Sequence, residues 1–212
     1  MRSLTAGFAG LTPQTRRFLA GSALMGVAQA VPWTMLPLYL DRLGYTKAQI
    51  GAVQSCDAWG MVLIALPAAF LLAHRRTPPI LTWASLIAGL AYCALPWMPN
   101  LKLVMLLNLV AGLAWSVHYV AISPFLYRHT EAAQRTAVFG LAEAVHTAAA
   151  VAGMFLGGRA VELLTRLLSS EKSALAWVVA SGGMLALLAI LPSRRSARAG
   201  RRRWRARTGG RC

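Results

Sequence analysis

Four acidic or basic side chains stand inside stretches that are otherwise free of charge: Asp57, His118, Glu143 and His146. A charge near the centre of a lipid bilayer costs about 2.5–3.5 kcal/mol on insertion scales, so such residues need a partner, a watery cavity or a proton to carry. Glu143 and His146 are three residues apart. On a helix that spacing puts them on one face, where they can share a proton or one polar partner. Histidine changes charge near neutral pH, which makes this Glu-x-x-His pair a switch between charged and neutral forms. Counted at 1.5 Å per residue from the ends of their stretches, Asp57 lies about 13 Å deep, Glu143 about 10 Å and His118 about 12 Å. His118 and His146 are therefore the expected partners of Glu143. Gln29, about 16 Å into its own stretch, and Trp33 one turn further on add a hydrogen-bonding amide and an apolar wall. The six residues are candidates for a substrate or proton pathway; the bland alternative is a neutralised cluster that only holds helices together.

Other chemistries find no support. There is no Ser/His/Asp order with a nucleophile turn and no aspartate dyad, so a membrane hydrolase is not indicated and the chain is not expected to be an enzyme. A single Glu-x-x-His pair is a poor metal signal, and Cys56, Cys93 and Cys212 lack paired spacing. Neither a zinc site nor a disulfide framework follows, and no cofactor is expected.

The elements that must position these groups are membrane helices. Of 212 residues 57% are hydrophobic and 13% charged, against roughly 25% charge in a soluble domain. Six spans of about 20 residues would use about 120 residues, matching the apolar inventory. Stretches 18–40, 77–101, 103–127 and 173–193 contain no Asp, Glu, Lys or Arg, while 48–73 and 136–158 are interrupted once each, by Asp57 and Glu143. All six are long enough to cross a core of about 30 Å. Pro and Gly mark the short turns between them. Segment 159–172 carries Val161, Leu163, Leu164, Leu167 and Leu168, a helical spacing that predicts a helix lying in the interface. Small residues at 28–30 resemble an export-signal cleavage site, yet the apolar run continues to Leu40. That exceeds the core of a signal peptide, about 7–15 residues, so no cleavage is expected.

The net charge of +16 is a property of one end, because nine of the 22 Lys and Arg residues lie between Arg194 and Arg211 with no acid among them. Beside a membrane helix such a tail reads as a contact for anionic lipid, about 1 kcal/mol per basic residue near the surface, and not as a nucleic-acid site. With the N-terminus inside, sixteen basic residues fall on the inner side and six on the outer. Both termini are thus expected to be cytoplasmic, in a multi-pass protein of the plasma (inner) membrane. Three parts follow: an N-terminal tail 1–15, a membrane domain 16–193 and an Arg-rich tail 194–212.

Several segments carry a family resemblance. Pro37-Leu38-Tyr39-Leu40 followed by Gly44-Tyr45-Thr46-Lys47-Ala48-Gln49-Ile50-Gly51, then Glu131-Ala132-Ala133-Gln134-Arg135 with Gly140-Leu141, stand in order along the chain. Ala149, Gly153, Gly157 and Gly158 look like a fifth-helix glycine motif. Over residues 16–191 the set resembles the N-terminal half of a major facilitator superfamily transporter. Three positions depart from the family pattern. Residues 69–76 keep basic groups but lack the usual acid, Asn108 stands where arginine is usual, and Met154 replaces a proline. Gly112 and Ser116 keep the small-residue ladder of helix four.

The resemblance implies an all-α membrane protein, six transmembrane helices forming one half of that fold. It also implies alternating access for a small-molecule substrate, with helices one, two, four and five facing a central cavity and three and six outside. Transport in such a fold needs two halves around a midplane site, so a second six-helix half or a homodimer is the expected partner besides the bilayer. The composition shift after Pro192 is compatible with a truncated product. Ala149, Gly153 and Gly157, spaced by four, leave one helix face without bulk, suited either to tight packing or to a sliding contact between halves. The alternative function is a non-transporting scaffold that uses such small-residue faces to bind another membrane protein.

Overall fold

The computed structural model describes residues 13–74, 77–130 and 135–188. Both tails beyond these limits, including the Arg-rich segment 194–212, and the loop residues 75–76 and 131–134 lie outside the described residues. The described residues form α1 (Pro13–Arg42), α2 (Lys47–His74), α3 (Thr77–Ala94), a 3-10 turn (Leu95–Trp97), α4 (Leu101–His129), α5 (Arg135–Leu168) and α6 (Glu171–Leu188). No strand occurs among them. Six helices are long and apolar enough to cross a membrane, which makes this a multi-pass helical membrane protein.

Local sequence sets the helix ends. At the α1–α2 turn Gly44 adopts φ +90°, and the amides of Gly44 and Tyr45 donate back to the Asp41 and Leu40 carbonyls at 3.0 and 3.2 Å. This is the Schellman closure that only glycine makes without strain. Thr46 and Gln49 then cap α2 reciprocally. The Thr46 amide donates to Gln49 Oε1 at 2.9 Å and the Gln49 amide to Thr46 Oγ1 at 3.3 Å, a capping box that satisfies two otherwise orphaned donors. Asn100 caps α4 by accepting from the Leu103 amide at 3.0 Å.

The expected interfacial helix over 159–172 is not a separate element. Its residues continue α5 as far as Leu168, giving one helix of 34 residues. Glu162 receives both Arg159 (3.0 Å) and Arg166 (2.8 Å), i,i+3 and i,i+4 pairs whose spacing fits a helix continuing through this stretch. The chain breaks only at Ser169, with φ +52°, after which Ser170 accepts from the Ser173 amide.

Packing follows an internal two-fold pattern. The most extensive contacts are α2 on α4 and α1 on α5, followed by α1 on α6 and its counterpart α3 on α4, with α3 also on α6. Exchanging the first three helices for the last three maps these pairs onto each other, the signature of a structural repeat. Two of the crossings bring backbones into contact. A Cβ on Gly112 of α4 would run into the carbonyl of Asp57 on α2, and one on Gly60 of α2 would lie 2.8 Å from the Leu113 amide. At the α1–α5 crossing, a Cβ on Gly153 would lie 2.9 Å from Val27 Cα, and one on Gly26 2.7 Å from the His146 carbonyl.

Apolar residues from α1, α2, α3, α4 and α6 fill the core, with Leu36, Val53, Tyr92, Trp115 and Val179 among the most buried. A smaller cluster of Leu19, Leu126, Val138 and Ala142 joins the other ends of α1, α4 and α5. Polar groups in the α2–α4 interface are spent on backbone. Asn108 Nδ2 donates to the Val53 carbonyl at 2.8 Å and Ser116 Oγ to the Met61 carbonyl at 2.9 Å. Hydrogen bonds of this kind are the usual glue where lipid offers no hydrophobic driving force between helices. One rim is tied by Tyr39, whose hydroxyl donates to the Pro96 carbonyl at 2.7 Å, by Arg42–Glu171 at 3.0 Å and by the edge of Trp97 on Trp177.

Candidate functional site

Polar side chains from three helices converge about halfway along the bundle. Gln29 on α1 accepts a hydrogen bond from the Tyr119 hydroxyl on α4 at 2.7 Å. The Tyr119 ring meets the His146 ring of α5 edge-on, with centroids 5.8 Å apart. His146 Nδ1 lies 3.3 Å from the Ser22 carbonyl on α1. A carbonyl can only accept, so this contact places a ring proton on Nδ1; in the singly protonated tautomer Nε2 is then the acceptor. The Gly26 crossing just described lets α5 come close enough for this bond. Glu143, one turn before His146, is exposed on α5. The Glu143 and Asp57 carboxylates are both close enough to act electrostatically on the Tyr119 hydroxyl. Trp33, one turn along α1 from Gln29, is half exposed, and its backbone carbonyl accepts from Gln54 Nε2 of α2 at 3.4 Å.

Of the residues expected to act together, His118 stands apart. Its Nε2 lies 3.1 Å from Ser85 Oγ on α3, and its ring packs on Trp115. Ser85 gives its own proton to the Leu81 carbonyl at 2.9 Å, so His118 Nε2–H is the donor to Ser85. The expected Glu143–His118 pairing is therefore corrected. Similar depth does not bring the two together, because α4 and α5 touch only slightly and His118 points to α3. Tyr119, the next residue and about 100° further around α4, takes the place that His118 was expected to fill. A phenol hydroxyl at the depth of Gln29 was the signal that would have found it.

Asp57 is set apart differently. It is buried beneath the α2–α4 crossing, and its Oδ1 has no hydrogen-bond partner among the described residues. Tyr92 on α3 and Tyr119 on α4 lie within its electrostatic reach. No group of three or more His, Cys, Asp or Glu arranged to hold a metal occurs among the described residues.

The small-residue face of α5 is filled from within. Gly153 packs on Val27, Gly157 faces Val31 and Met35, and Ala149 meets the Gly26 position, all on α1. The expectation that this seam is open to a second half is thus overturned for these three residues: α1 already occupies it. Of the four motif residues on α5, Gly158 alone faces open space. The Ala149, Gly153 and Gly157 face named for a scaffold role is occupied by the unit's own packing.

Six helices long and apolar enough to cross a membrane, three of which bring polar side chains together between them, define a polytopic helical membrane protein. The Major Facilitator Superfamily model matches residues 18–209. The chain belongs to this family, whose members are membrane transporters rather than enzymes. No curated protein matches the chain.

Proposed function

We propose that the protein carries a small solute across the membrane by alternating access, with Gln29, Tyr119, His146 and Glu143 contributing to the solute site. The observation that supports this most is the Gln29–Tyr119 hydrogen bond at 2.7 Å. It is a directed polar contact between α1 and α4 that leaves the Gln29 amide N–H groups unspent at mid-membrane. A buried glue contact would enclose both partners, whereas Tyr119 remains 37% exposed. The six described spans form one unit, and transport in this fold uses two such units rocking about a midplane site. A second copy or another six-helix segment completes the passage. Because α1 fills the glycine face of α5, that second unit meets other surfaces than the Gly153 seam.

The test is uptake by proteoliposomes containing the full chain, offered labelled sugars, amino acids, carboxylates and amines in turn. At least one solute should accumulate, and Gln29→Ala should slow it about tenfold, the loss of one charge-free hydrogen-bonding group plus the orientation of Tyr119. A panel without accumulation, or a variant as fast as the parent, counts against the reading.

We also read the protein as a plasma (inner) membrane protein with both termini in the cytoplasm and with the Arg-rich segment 194–212 against anionic headgroups. A reporter that is active only outside the cytoplasm, fused after Cys212, should stay silent. Activity from that fusion would reverse the topology.

A further inference from the structure

We propose that the mid-membrane site selects a cation, and specifically an organic ammonium with an apolar or aromatic body. This rests on the reading of the Gln29, Tyr119, His146 and Glu143 group as the solute site. The first observation is the charge inventory. Away from the helix ends, the formal charges in the six spans are Asp57 and Glu143, both negative. Arg16 and Arg17 precede the first span and Arg128 follows the fourth; Arg42, Lys47, Lys102, Arg135 and Lys172 stand at or next to helix ends; and Arg159, Glu162 and Arg166 lie about 36 Å or more along α5 from its start, beyond a core of about 30 Å. An anion at this site would face the exposed Glu143 carboxylate with no Lys or Arg from the described spans to balance it.

The second observation is what each group has left to offer. Glu143 is exposed and forms no hydrogen bond or ion pair among the described residues. Asp57 is 5% exposed, with a buried Oδ1 that has no hydrogen-bond partner among the described residues. His146, with its proton on Nδ1 toward Ser22, presents Nε2 as an acceptor. Gln29 Oε1 accepts from Tyr119 and keeps a second lone pair. A carboxylate, an imidazole nitrogen and an amide oxygen are acceptors, the complement of an –NH3+ group with three donors. Trp33, 52% exposed one turn from Gln29, supplies the aromatic face that attracts cations and covers an apolar body.

Binding to the purified full chain in detergent tests this with three probes of one size and different charge: benzylammonium, benzyl alcohol and benzoate. Benzylammonium should bind at least tenfold more tightly than either of the others. Glu143→Gln should weaken it at least tenfold, and Glu143→Asp, which keeps the charge, should retain the order of preference. Each variant is checked for unchanged helicity and elution. No measurable benzylammonium binding, equal or tighter binding of benzoate or benzyl alcohol, or unchanged benzylammonium affinity in Glu143→Gln overturns the proposal. The two readings fail differently. If Gln29→Ala and Tyr119→Phe weaken benzoate instead, the site stands and the cation preference falls. If none of these variants alters binding of any probe, the site reading falls with it.

Discussion

Gly112→Ala is expected to lower the stability of the protein by about 3 kcal/mol, the upper end of what overpacking costs in a tight interface. The added methyl would collide with the Asp57 carbonyl and lie 2.9 Å from the Asp57 carbonyl carbon, both of them backbone atoms of α2. Flexible side chains can swing away from such an intrusion; a helix backbone cannot. The α2–α4 crossing would have to open, and with it the Asn108 and Ser116 hydrogen bonds to the Val53 and Met61 carbonyls would lengthen. Unfolding of the purified protein in mixed micelles, followed by loss of helicity, measures the difference. Gly158→Ala is the internal comparison. Nothing lies within 4 Å of a Cβ there, and alanine is the better helix former by about 1 kcal/mol, so that variant should equal or exceed the parent. A Gly112→Ala protein as stable as the parent would mean that the two backbones are not in contact.

Glu143→Gln is expected to slow solute uptake about a hundredfold while leaving insertion and folding intact. The substitution keeps shape and hydrogen-bonding capacity and removes the charge. At an effective dielectric of about 20, a carboxylate and a cationic group about 4 Å apart attract by about 4 kcal/mol. A hundredfold loss, about 2.7 kcal/mol, corresponds to part of that after desolvation. Glu143 is exposed, so removing its charge leaves no buried partner stranded and should cost the fold little. Uptake is compared across about pH 5.5 to 8, so that a role in proton transfer would appear as a changed pH profile. Normal uptake by the variant throughout that range would make Glu143 a structural residue.

The six spans were legible in the sequence, because charge-free stretches delimit them. The direction in which each side chain points was not. That angle depends on which helix packs against which face, and α4 shows the consequence. His118 and Tyr119 are one residue apart, yet the first serves α3 through Ser85 and the second serves α1 and α5 through Gln29 and His146. Histidine drew attention as a titratable group, whereas tyrosine is common in membrane helices and passed unnoticed. The spacing of Ala149, Gly153 and Gly157 correctly marked a face made for close approach, but spacing cannot tell an internal neighbour from an external one. For segment 159–172, a leucine-rich amphipathic pattern fits an interfacial helix and a prolonged transmembrane helix equally well. The stop at Ser169, a residue that seldom adopts positive φ, gave no warning of where α5 ends.

The length of α5 has a mechanical meaning. At 34 residues it measures about 51 Å, about 20 Å more than the hydrocarbon core. Its middle is pinned to α1 backbone to backbone at Gly153, and its far end stands beside the Arg42–Glu171 rim. Val161 and Leu164 still seat one side of that end on the core, so in the rocking motion proposed above the whole helix would turn with the unit as a lever arm. Leu163 and Leu167, both more than half exposed on that tip, sit where such a turn would give the largest sweep.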